Sequence, residues 1–542
     1  MFARPLTPRS PHAPRPGRPV ALALALLLLA ASPAMARADE EIADPDDDDG
    51  WLPPATVSPA APAASSGPVE PATTVRATAM VRLALDTGHE GARPDQQGDF
   101  HEDVMALYAQ ASAHLKHRVS RGLQLQLGCR LEYRLTARQP SGDEAYNLFN
   151  GDLHRSDLAV VPADSYLGVS ASWLDLRAGM VTEVWGAANL VNPNDVLTAR
   201  DLLDGPPVDP EVARTPRPMV VAQAFVLGFT ASVAWLPVFL PDRMEAFGSD
   251  YSMLGPASLP QLRLLGEMAD GLVDDSVKGV VQPALLQTHL PRPFRDSSLA
   301  FRLERSVAGW DLSLMYGYLF QRQPHIRLRT YLLPMVAGGA SATLDPALLG
   351  SLAGALLAQG MPLEAKYRRY HHAGFSVTRT WWKLLLSLDV SYASARAAAL
   401  AEIPQSAPGD WFSPSLESQA LSYTVGATWT HGEAWMVNLE WWHTAMLDLL
   451  ADAPELLLGG PHRAGPALMV RYHNDTINLT VQAAAVTDLL NPSLLLTAQV
   501  SYRVWDHLGV FVGLNLFEGQ ERSAGGRFDP NDQVFVGVQG YL

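Results

Sequence analysis

VRATAMVRLALD, residues 75–86, and LQLQLGCRLEYR, residues 123–134, decide the fold. In both stretches apolar side chains occupy the odd positions, and most of the polar side chains occupy the even positions. A helix would spread the four arginines of these stretches around its whole surface, whereas a strand places all of them on one face. The alternation therefore predicts β-strands with one apolar and one polar face.

The same alternation recurs to the end of the chain. It predicts an all-β fold, a transmembrane antiparallel β-barrel of about 18 strands (16–18), because bacterial single-chain barrels have an even strand count and strands near ten residues long. The predicted strands are 75–86, 104–117, 121–135, 163–173, 175–185, 217–227, 229–239, 297–305, 310–320, 367–378, 383–393, 417–430, 434–445, 466–473, 476–488, 493–504, 508–517 and 533–542.

Connections between these predicted strands alternate between short and long. Outer-membrane barrels have short periplasmic turns and long extracellular loops, so the alternation predicts which end of the barrel faces which side. The connection 489–492 is the exception, being short where a long one is expected. The predicted long loops are 87–103, 136–162, 186–216, 240–296, 321–366, 394–416, 446–465 and 518–531.

Aromatic residues cluster beside the short turns. An indole or phenol ring is partly apolar and partly hydrogen-bonding, so it favours the boundary between lipid and water. The cluster therefore predicts a girdle at the periplasmic end of the barrel. Its members are Trp173, Trp310, Trp381, Trp382, Trp429, Trp435, Tyr472 and Trp505.

The apolar, uncharged stretch 219–240 invites a second interpretation as a transmembrane helix. Gln223 and Pro237 argue against a helix, and Gly228 is a natural turn residue, so we expect a hairpin that turns at Gly228. The outward residues of its second strand would be Phe229, Ala231, Val233 and Trp235.

The first 72 residues have a different composition. Residues 1–18 carry four arginines and no acid, and an apolar run and a small-residue site follow, so 1–38 is predicted to be a cleaved signal peptide. Residues 39–72 are acidic and then rich in Pro and Ala, which predicts a disordered linker. Within it, 44–50 is either a solvated acidic tether or a calcium loop, although Pro45 occupies a position where the loop needs an acid. The barrel is then predicted to span 73–542.

Composition excludes several function classes. The net charge of −16 argues against nucleic-acid binding, and a single cysteine excludes disulfide scaffolds and Cys-based metal sites. No nucleophile elbow, zinc-protease or phosphate-loop motif is present. His371 and His372 are adjacent, so in a strand they point to opposite faces and form a poor metal pair. The sequence therefore predicts no enzyme, no cofactor and no metal.

Charged residues on the predicted inward face have two interpretations, which both remain open. They either line a polar path with weak solute sites or pair across neighbouring strands to hold the wall together. The near balance of signs predicts weak ion selectivity. The lumen-lining candidates are Arg76, Arg82, Arg130, Glu132, Arg134, Arg177, Glu183, Arg302, Glu304, Lys383, Asp389, Glu440, Arg471 and Arg503.

Two long loops, 240–296 and 321–366, are long enough to fold inward and narrow a lumen. The second contains a predicted short helix that starts at Asp345 and Pro346, with an apolar leucine face. That face could plug the lumen, contact a partner or pack on other extracellular loops.

One stretch of sequence carries seven residues whose spacing goes beyond the alternation: Arg177, Gly179, Trp185, Gly186, Asn192, Pro193 and Asp195. This stretch resembles a signature of uncharacterised Gram-negative outer-membrane barrels akin to alginate-export-type porins, some of which accompany lipid or hydrophobe exporters. The resemblance implies a strand whose Arg177 faces the lumen and whose end at Trp185 marks the outer rim, followed by a loop. An ordinary turn is the alternative, since Asn-Pro and Asp favour turns.

These observations predict a porin-like channel in the cell outer membrane, for passive or exporter-linked passage of a small or amphiphilic solute. The alternative is an occluded structural or adhesion barrel that binds a partner through its extracellular loops, and a barrel-embedded enzyme ranks third. Expected partners are outer-membrane lipid, the barrel-assembly machinery, and an exporter or extracellular ligand, with no nucleic acid.

Overall fold

The structure is a computed structural model. The predicted signal peptide, the predicted linker up to residue 71 and the helix predicted near Asp345 lie outside the residues that it describes. The described residues are 72–86, 105–136, 145–146, 153–154, 158–203, 213–243, 286–333, 363–400, 406–449, 459–520, 523–529 and 532–541.

Eighteen antiparallel strands form one closed barrel, as the alternation predicts. Each strand pairs with the next along the chain, and the last pairs with the first. The strands are β1 (Ala72–Asp86), β2 (Met105–Ser120), β3 (Leu123–Thr136), β4 (Leu158–Pro162 continued by Ser165–Ala171), β5 (Leu174–Val181), β6 (Arg217–Val226), β7 (Phe229–Leu236), β8 (Ser298–Val307), β9 (Trp310–Phe320), β10 (Arg369–Trp381), β11 (Leu384–Ala399), β12 (Ser415–His431), β13 (Trp435–Met446), β14 (His462–Asn474), β15 (Leu479–Asp488), β16 (Ser493–Trp505), β17 (Leu508–Gly519) and β18 (Gln533–Tyr541).

Short connections gather at one end of the barrel, called the turn end below, and long ones at the other, the loop end. The connection 489–492 is short at the loop end, as the sequence indicates. At the β6–β7 turn both Leu227 (φ 53°) and Gly228 (φ 76°) have positive φ, the conformation of a two-residue hairpin turn whose twist matches the strands. The hairpin predicted at Gly228 is therefore confirmed.

The outer surface of the barrel is apolar. Leu299, Phe301 and Leu303 alternate along β8 with inward-facing Ala300 and Arg302, and all three are exposed. The predicted tryptophans lie beside the turns and are exposed too, most of all Trp382 at 84%. A continuous apolar band edged by aromatic rings is the surface that a barrel presents to lipid.

Short elements lie outside the barrel wall, and no helix among the described residues is both long and apolar enough to cross a bilayer. The short strands are Ala145–Tyr146 with Leu153–His154, Ala199–Arg200 with Arg214–Thr215, and a four-stranded sheet of Leu286–His289, Leu363–Lys366, His325–Arg329 and Trp411–Phe412. The helical elements are a 3-10 turn at Thr330–Leu332 and an α-helix at Ala524–Phe528.

Candidate functional site: a segment folded into the lumen

The chain that follows β5 turns into the barrel. Residues 182–203, here called the inserted segment, pack against inward-facing side chains of β5 to β15. Most of the segment has no strand partner, so its backbone N–H and C=O groups need other hydrogen-bond partners. The barrel wall supplies them.

Asp389 of β11 is the first anchor. Its Oδ2 accepts hydrogen bonds from the backbone N–H groups of Ala187 at 2.8 Å and Ala188 at 2.5 Å. Its Oδ1 accepts from Asn194 Nδ2 at 3.1 Å and from the Ser376 hydroxyl. The side chain is fully buried, with 0% exposed, and its hydrogen bonds come from uncharged donors. A carboxylate that accepts several N–H groups forms stronger hydrogen bonds than a neutral acceptor.

Glu440 of β13 is the second anchor. Its Oε1 accepts from the backbone N–H of Asn189 at 2.6 Å, and its Oε2 accepts from that of Val191 at 2.9 Å. The N–H of Leu190 lies between the two oxygens, at 3.1 and 3.2 Å. Together the two carboxylates accept the N–H groups of five successive residues, 187–191. The wall therefore grips the segment through its backbone.

Asparagine side chains fix the internal shape of the segment. Asn192 Nδ2 donates to the Trp185 carbonyl at 2.9 Å, and Asn192 Oδ1 accepts from the Asn194 N–H at 2.9 Å. Gly186 has φ 93° and lies against the Asn192 side chain, where a Cβ would collide with it. Of the residues that carry the family resemblance, Trp185, Gly186 and Asn192 thus build a compact loop inside the lumen, while Arg177 and Gly179 lie in β5.

Glu183 joins the beginning of the segment to the wall. Its Oε2 accepts from Arg177 Nη2 at 2.8 Å, and its Oε1 accepts from Trp185 Nε1 at 3.0 Å. Arg302 of β8 lies 3.7 Å from Glu183 Oε1 and stacks over the Trp185 ring at 5.3 Å. Glu183 therefore makes an ion pair with Arg177 and a hydrogen bond with Trp185, and a cation–π contact joins Arg302 to Trp185 beside it.

Trp185 is a core residue of the lumen, and the prediction that it marks the outer rim is wrong. Only 1% of its surface is exposed. In the sequence, a large aromatic residue after a strand is compatible with a position at the rim and with a position in a packed lumen. In the structure, Trp185 occupies the packed lumen. The cluster around it contains Val181, Leu197, Met219, Val221, Ala234, Leu236, Ala300, Met315 and Leu319.

Arginines surround the far end of the segment. Asp195 Oδ2 lies 3.1 Å from Arg214 Nε and 3.8 Å from Arg200 Nη2, and its Oδ1 accepts from the Thr198 hydroxyl at 2.7 Å. Burial raises the pKa of Asp195, but the guanidinium groups of Arg200, Arg214 and Arg322 outweigh burial and hold the pKa below its usual value. Asp195 therefore stays ionised within this cluster.

A second cluster ties the end of the segment to β3. Arg243 Nη1 lies 2.6 Å from Glu132 Oε2 and 2.8 Å from Asp201 Oδ2, and Arg130 Nε lies 2.9 Å from Glu132 Oε1. Here the inward charges of β3 pair with each other along the same strand and with loop residues, so the cluster ties the loops to the wall and does not join neighbouring strands.

A cavity of about 240 Å³ lies on the turn-end side of the inserted segment. Its walls mix both signs of charge with hydroxyl groups, so a small polar solute can find hydrogen-bond partners there. Charged and hydroxyl side chains that line it include Glu183, Arg302, Glu304, Asp311, Ser376 and Thr378.

Most of the lumen candidates lie at inward register positions, but three need comment. Glu183 follows the end of β5 and belongs to the inserted segment. Lys383 lies in the β10–β11 turn, with its Nζ 3.0 Å from His431 Nδ1 and beside the Trp382 ring. Both were expected to be residues of the barrel wall, and neither is. The side chain of Arg134 lies outside the described residues. Inward positions hold Arg76, Arg82, Arg130, Glu132, Arg177, Arg302, Glu304, Asp389, Glu440, Arg471 and Arg503.

Sequence reasoning missed the inserted segment. It assigned narrowing of the lumen to loops 240–296 and 321–366, whose central parts, 244–285 and 334–362, lie outside the described residues. The two anchors carry a signal from which the inserted segment could have been predicted. Asp389 and Glu440 lie at inward positions, and none of their neighbours on the adjacent strands is a cation. Those neighbours are Ser376, Thr424, Gly426 and Ala467. Wall carboxylates without a cation across the strand require donors from elsewhere.

Within the described part of the chain, no group of three or more His, Cys, Asp or Glu residues is placed to hold a metal ion. His371 is exposed on the outer face and His372 is buried on the inner face, as their adjacency predicts.

Comparisons with known proteins give only structural matches. No protein-family model matches the sequence, and no curated protein does. Solved outer-membrane porin structures match at low identity. OmpF of Salmonella typhi in complex with daunomycin has 9% identity and a TM-score of 0.36 over 87% of this chain and 97% of its own. OccK5 (OpdH) of Pseudomonas aeruginosa has 9% identity and a TM-score of 0.39 over 86% of this chain and 97% of its own. OccAB1 of Acinetobacter baumannii has 8% identity and a TM-score of 0.41 over 87% of this chain and 96% of its own. The assignment of the fold rests on the strand pairing described above.

Proposed function

We propose that this protein is an outer-membrane channel that lets small polar solutes cross passively. The observation that carries the proposal is the division of side chains around a closed cylinder. Exposed leucine, valine and aromatic side chains face outward, while Asp389, Glu440 and a set of buried serines and threonines face inward. An exposed apolar band of this extent is unfavourable in water and favourable in lipid, and a barrel of this strand number encloses more space than its own side chains fill.

The inserted segment gives the channel a built constriction. Because two buried carboxylates accept the backbone N–H groups of residues 187–191, the narrowing is held through the backbone of the segment at a fixed height. Charged residues of both signs border the cavity at its turn-end side, so we expect little preference between small cations and anions. Coupling to an exporter, and an amphiphilic solute, are supported only by the sequence resemblance around Arg177.

An occluded barrel is the second candidate. The observation that favours it is the extent of packing, since the inserted segment reaches apolar residues from β5 to β15. In that case the barrel would serve as a scaffold whose loops bind a surface partner.

Planar-bilayer recording on the refolded mature chain separates the two candidates. A heat-modifiability gel first establishes that the barrel is folded, because a folded barrel migrates differently from the boiled chain. We expect discrete conductance steps from the folded protein. Folded protein that inserts but gives no steps, together with steps from a variant that lacks both anchors, would support the occluded barrel and contradict the channel.

A further inference from the structure

Three arginines gather on the outside of the barrel at the loop end of β7 to β10. Two of them, Arg292 and Arg295, are exposed in the turn 292–296 that leads into β8. This turn is closed by a hydrogen bond from the Asp296 N–H to the Arg292 carbonyl at 2.9 Å. The Phe294 N–H donates to the Pro237 carbonyl at 2.7 Å, so the turn is fastened to the residue that follows β7.

Phe294 projects from this turn in an unusual conformation. Its φ is 63°, a value costly for a residue with a side chain, and 68% of its surface is exposed. Its ring lies 6.4 Å from that of Trp235, a lipid-facing residue near the loop end of β7. A strained turn that holds an aromatic ring outward, beside the outer aromatic residues, suits contact with the boundary between acyl chains and headgroups.

The third arginine, Arg369, begins β10 on the outward face. Its guanidinium lies over the rings of Tyr318 at 4.8 Å and Phe320 at 4.2 Å, and its Nη1 donates to the Ser297 carbonyl at 3.0 Å. Stacking holds the guanidinium plane in place, while a guanidinium has five N–H donors in all. Ser297 follows the turn directly, so Arg369 and the two turn arginines belong to one surface, called the arginine patch below.

No salt bridge joins the three patch arginines to a carboxylate among the described residues. Asp296, the acid in the turn, uses its Oδ2 to accept the Arg292 backbone N–H at 2.9 Å. The next arginine along the chain, Arg368, behaves differently and pairs with Glu417 at 2.8 Å. Three cations and one anion leave a formal surplus of two positive charges on a lipid-facing rim.

We propose that the arginine patch binds the phosphate groups of a glycolipid headgroup in the outer leaflet. The inference rests on the membrane placement proposed above. Guanidinium groups bind phosphate oxygens through paired, charge-assisted hydrogen bonds, and Arg369 is already oriented by its rings. Phe294 and Trp235 would contact the apolar part of the same lipid. A headgroup with more than one phosphate matches the surplus charge and the spread of the patch over several strands.

The turn end of the barrel provides a matched control. Arg305 lies over the Phe229 ring at 4.5 Å, and Arg379 lies over the Trp310 ring at 4.9 Å. These arginines share the outward position and the ring stacking, but they face the opposite leaflet, and the phenylalanine beside Arg305 lies in a strand and is only half-exposed.

The test compares three refolded full-length mature proteins: the unsubstituted chain, Arg292→Gln/Arg295→Gln/Arg369→Gln, and Arg305→Gln/Arg379→Gln. Each is mixed in detergent with a bisphosphorylated glucosamine glycolipid, with its dephosphorylated form, or with phosphatidylglycerol. Native mass spectrometry counts the bound lipids, and a heat-modifiability gel and bilayer conductance are recorded in parallel. We expect the triple variant to bind the bisphosphorylated lipid at least tenfold more weakly, with the double variant unchanged.

The proposal would be overturned if the unsubstituted chain bound the dephosphorylated glycolipid or phosphatidylglycerol as strongly as the bisphosphorylated one. It would also be overturned if the triple variant bound the bisphosphorylated glycolipid as strongly as the unsubstituted chain does. Should the triple variant not fold, Arg295→Gln alone decides, because that residue lies in a turn outside the strands, and a severalfold loss is expected. Conductance and heat modifiability test the channel independently. Their failure in all three proteins would overturn the proposed function, whereas a failure of lipid selectivity alone would overturn only the patch.

Discussion

Two sectors of the barrel wall use inward-facing polar residues differently. In the covered sector, β5 to β15, the inserted segment lies against the wall, and the inward anchors Asp389 and Glu440 are 0% and 1% exposed. In the open sector, β16 to β18 with β1 and β2, Ala84, Phe511 and Phe535 form a small buried cluster, but Arg76 is exposed and Gln110 and Gln499 are half-buried. The same alternation therefore produces a wall covered by the inserted segment in one sector and a wall with polar positions that water can reach in the other.

Burial by the inserted segment decides the role of an inward charge. A covered carboxylate is removed from water and must find donors, which it does in the backbone of the inserted segment. A charge in the open sector keeps some access to solvent. Arg76, for example, is exposed, whereas Arg82 is half-buried and stacks over Tyr108 at 5.1 Å and Phe535 at 5.5 Å. Charges in the covered sector thus determine structure, and charges in the open sector are available to solutes.

Loss of both anchors should have the largest effect on this comparison. We expect Asp389→Ala/Glu440→Ala to release residues 187–191 of the inserted segment, because their N–H groups donate to these two carboxylates and each hydrogen bond to a charged group contributes about 1.5–3 kcal/mol. Single-channel recording should show larger and noisier conductance.

Asp175→Ala is the matched control for the anchors. Asp175 is also a lumen carboxylate, but it lies outside the cavity lining and accepts from the Ser170 hydroxyl of the neighbouring strand and not from the inserted segment. Its conductance should stay close to that of the unsubstituted protein. An unchanged conductance in the anchor variant, with heat modifiability retained, would show that the packing of Trp185 and Leu190 suffices to hold the segment.

Truncation of the covered core should have the second largest effect. Trp185→Ala removes a fully packed ring, and such substitutions cost about 3–5 kcal/mol. The temperature at which the heat-modifiable form disappears should fall clearly. Trp382→Ala, at an 84% exposed position of the turn-end girdle, is the comparison and should change it little. Equal shifts in the two variants would contradict a packed core around Trp185.

Removal of charge from the open sector should have the smallest effect on stability and a selective effect on transport. Arg76→Gln/Lys116→Gln takes two cations from the inward face of β1 and β2, so the reversal potential in a salt gradient should shift toward cation preference. Stability should change by about 0.5 kcal/mol or less, as for most exposed substitutions. Arg369→Gln/Arg379→Gln removes equal charge from the lipid-facing side, where neither residue lines the cavity, and should leave the reversal potential unaltered. A matching shift would contradict the division into sectors.

The strands could be predicted from the sequence because each one satisfies a local rule. Leu299, Phe301 and Leu303 face lipid at every second position, and lipid imposes that demand on each strand separately. The inserted segment obeys no local rule, since Asn189 meets Glu440 across 251 positions of the chain. Its residues look like an ordinary loop until the closed wall brings the anchors opposite them. The family-like residues could be identified because they lie close together in the sequence. The burial of Trp185 could not be predicted, because it depends on contacts with distant strands.

Closure of the ring has a consequence for how the protein is made. The register pairs Val81 of β1 with Val538 of β18, so the first strand finds its second neighbour only when nearly the whole polypeptide has been delivered. Until then two strand edges lack partners, and hydrocarbon offers none. Premature release of a nascent chain without β18 would therefore yield an open sheet that a quality-control protease can recognise by its unsatisfied edges, and the β1–β18 seam acts as a built-in test of completeness.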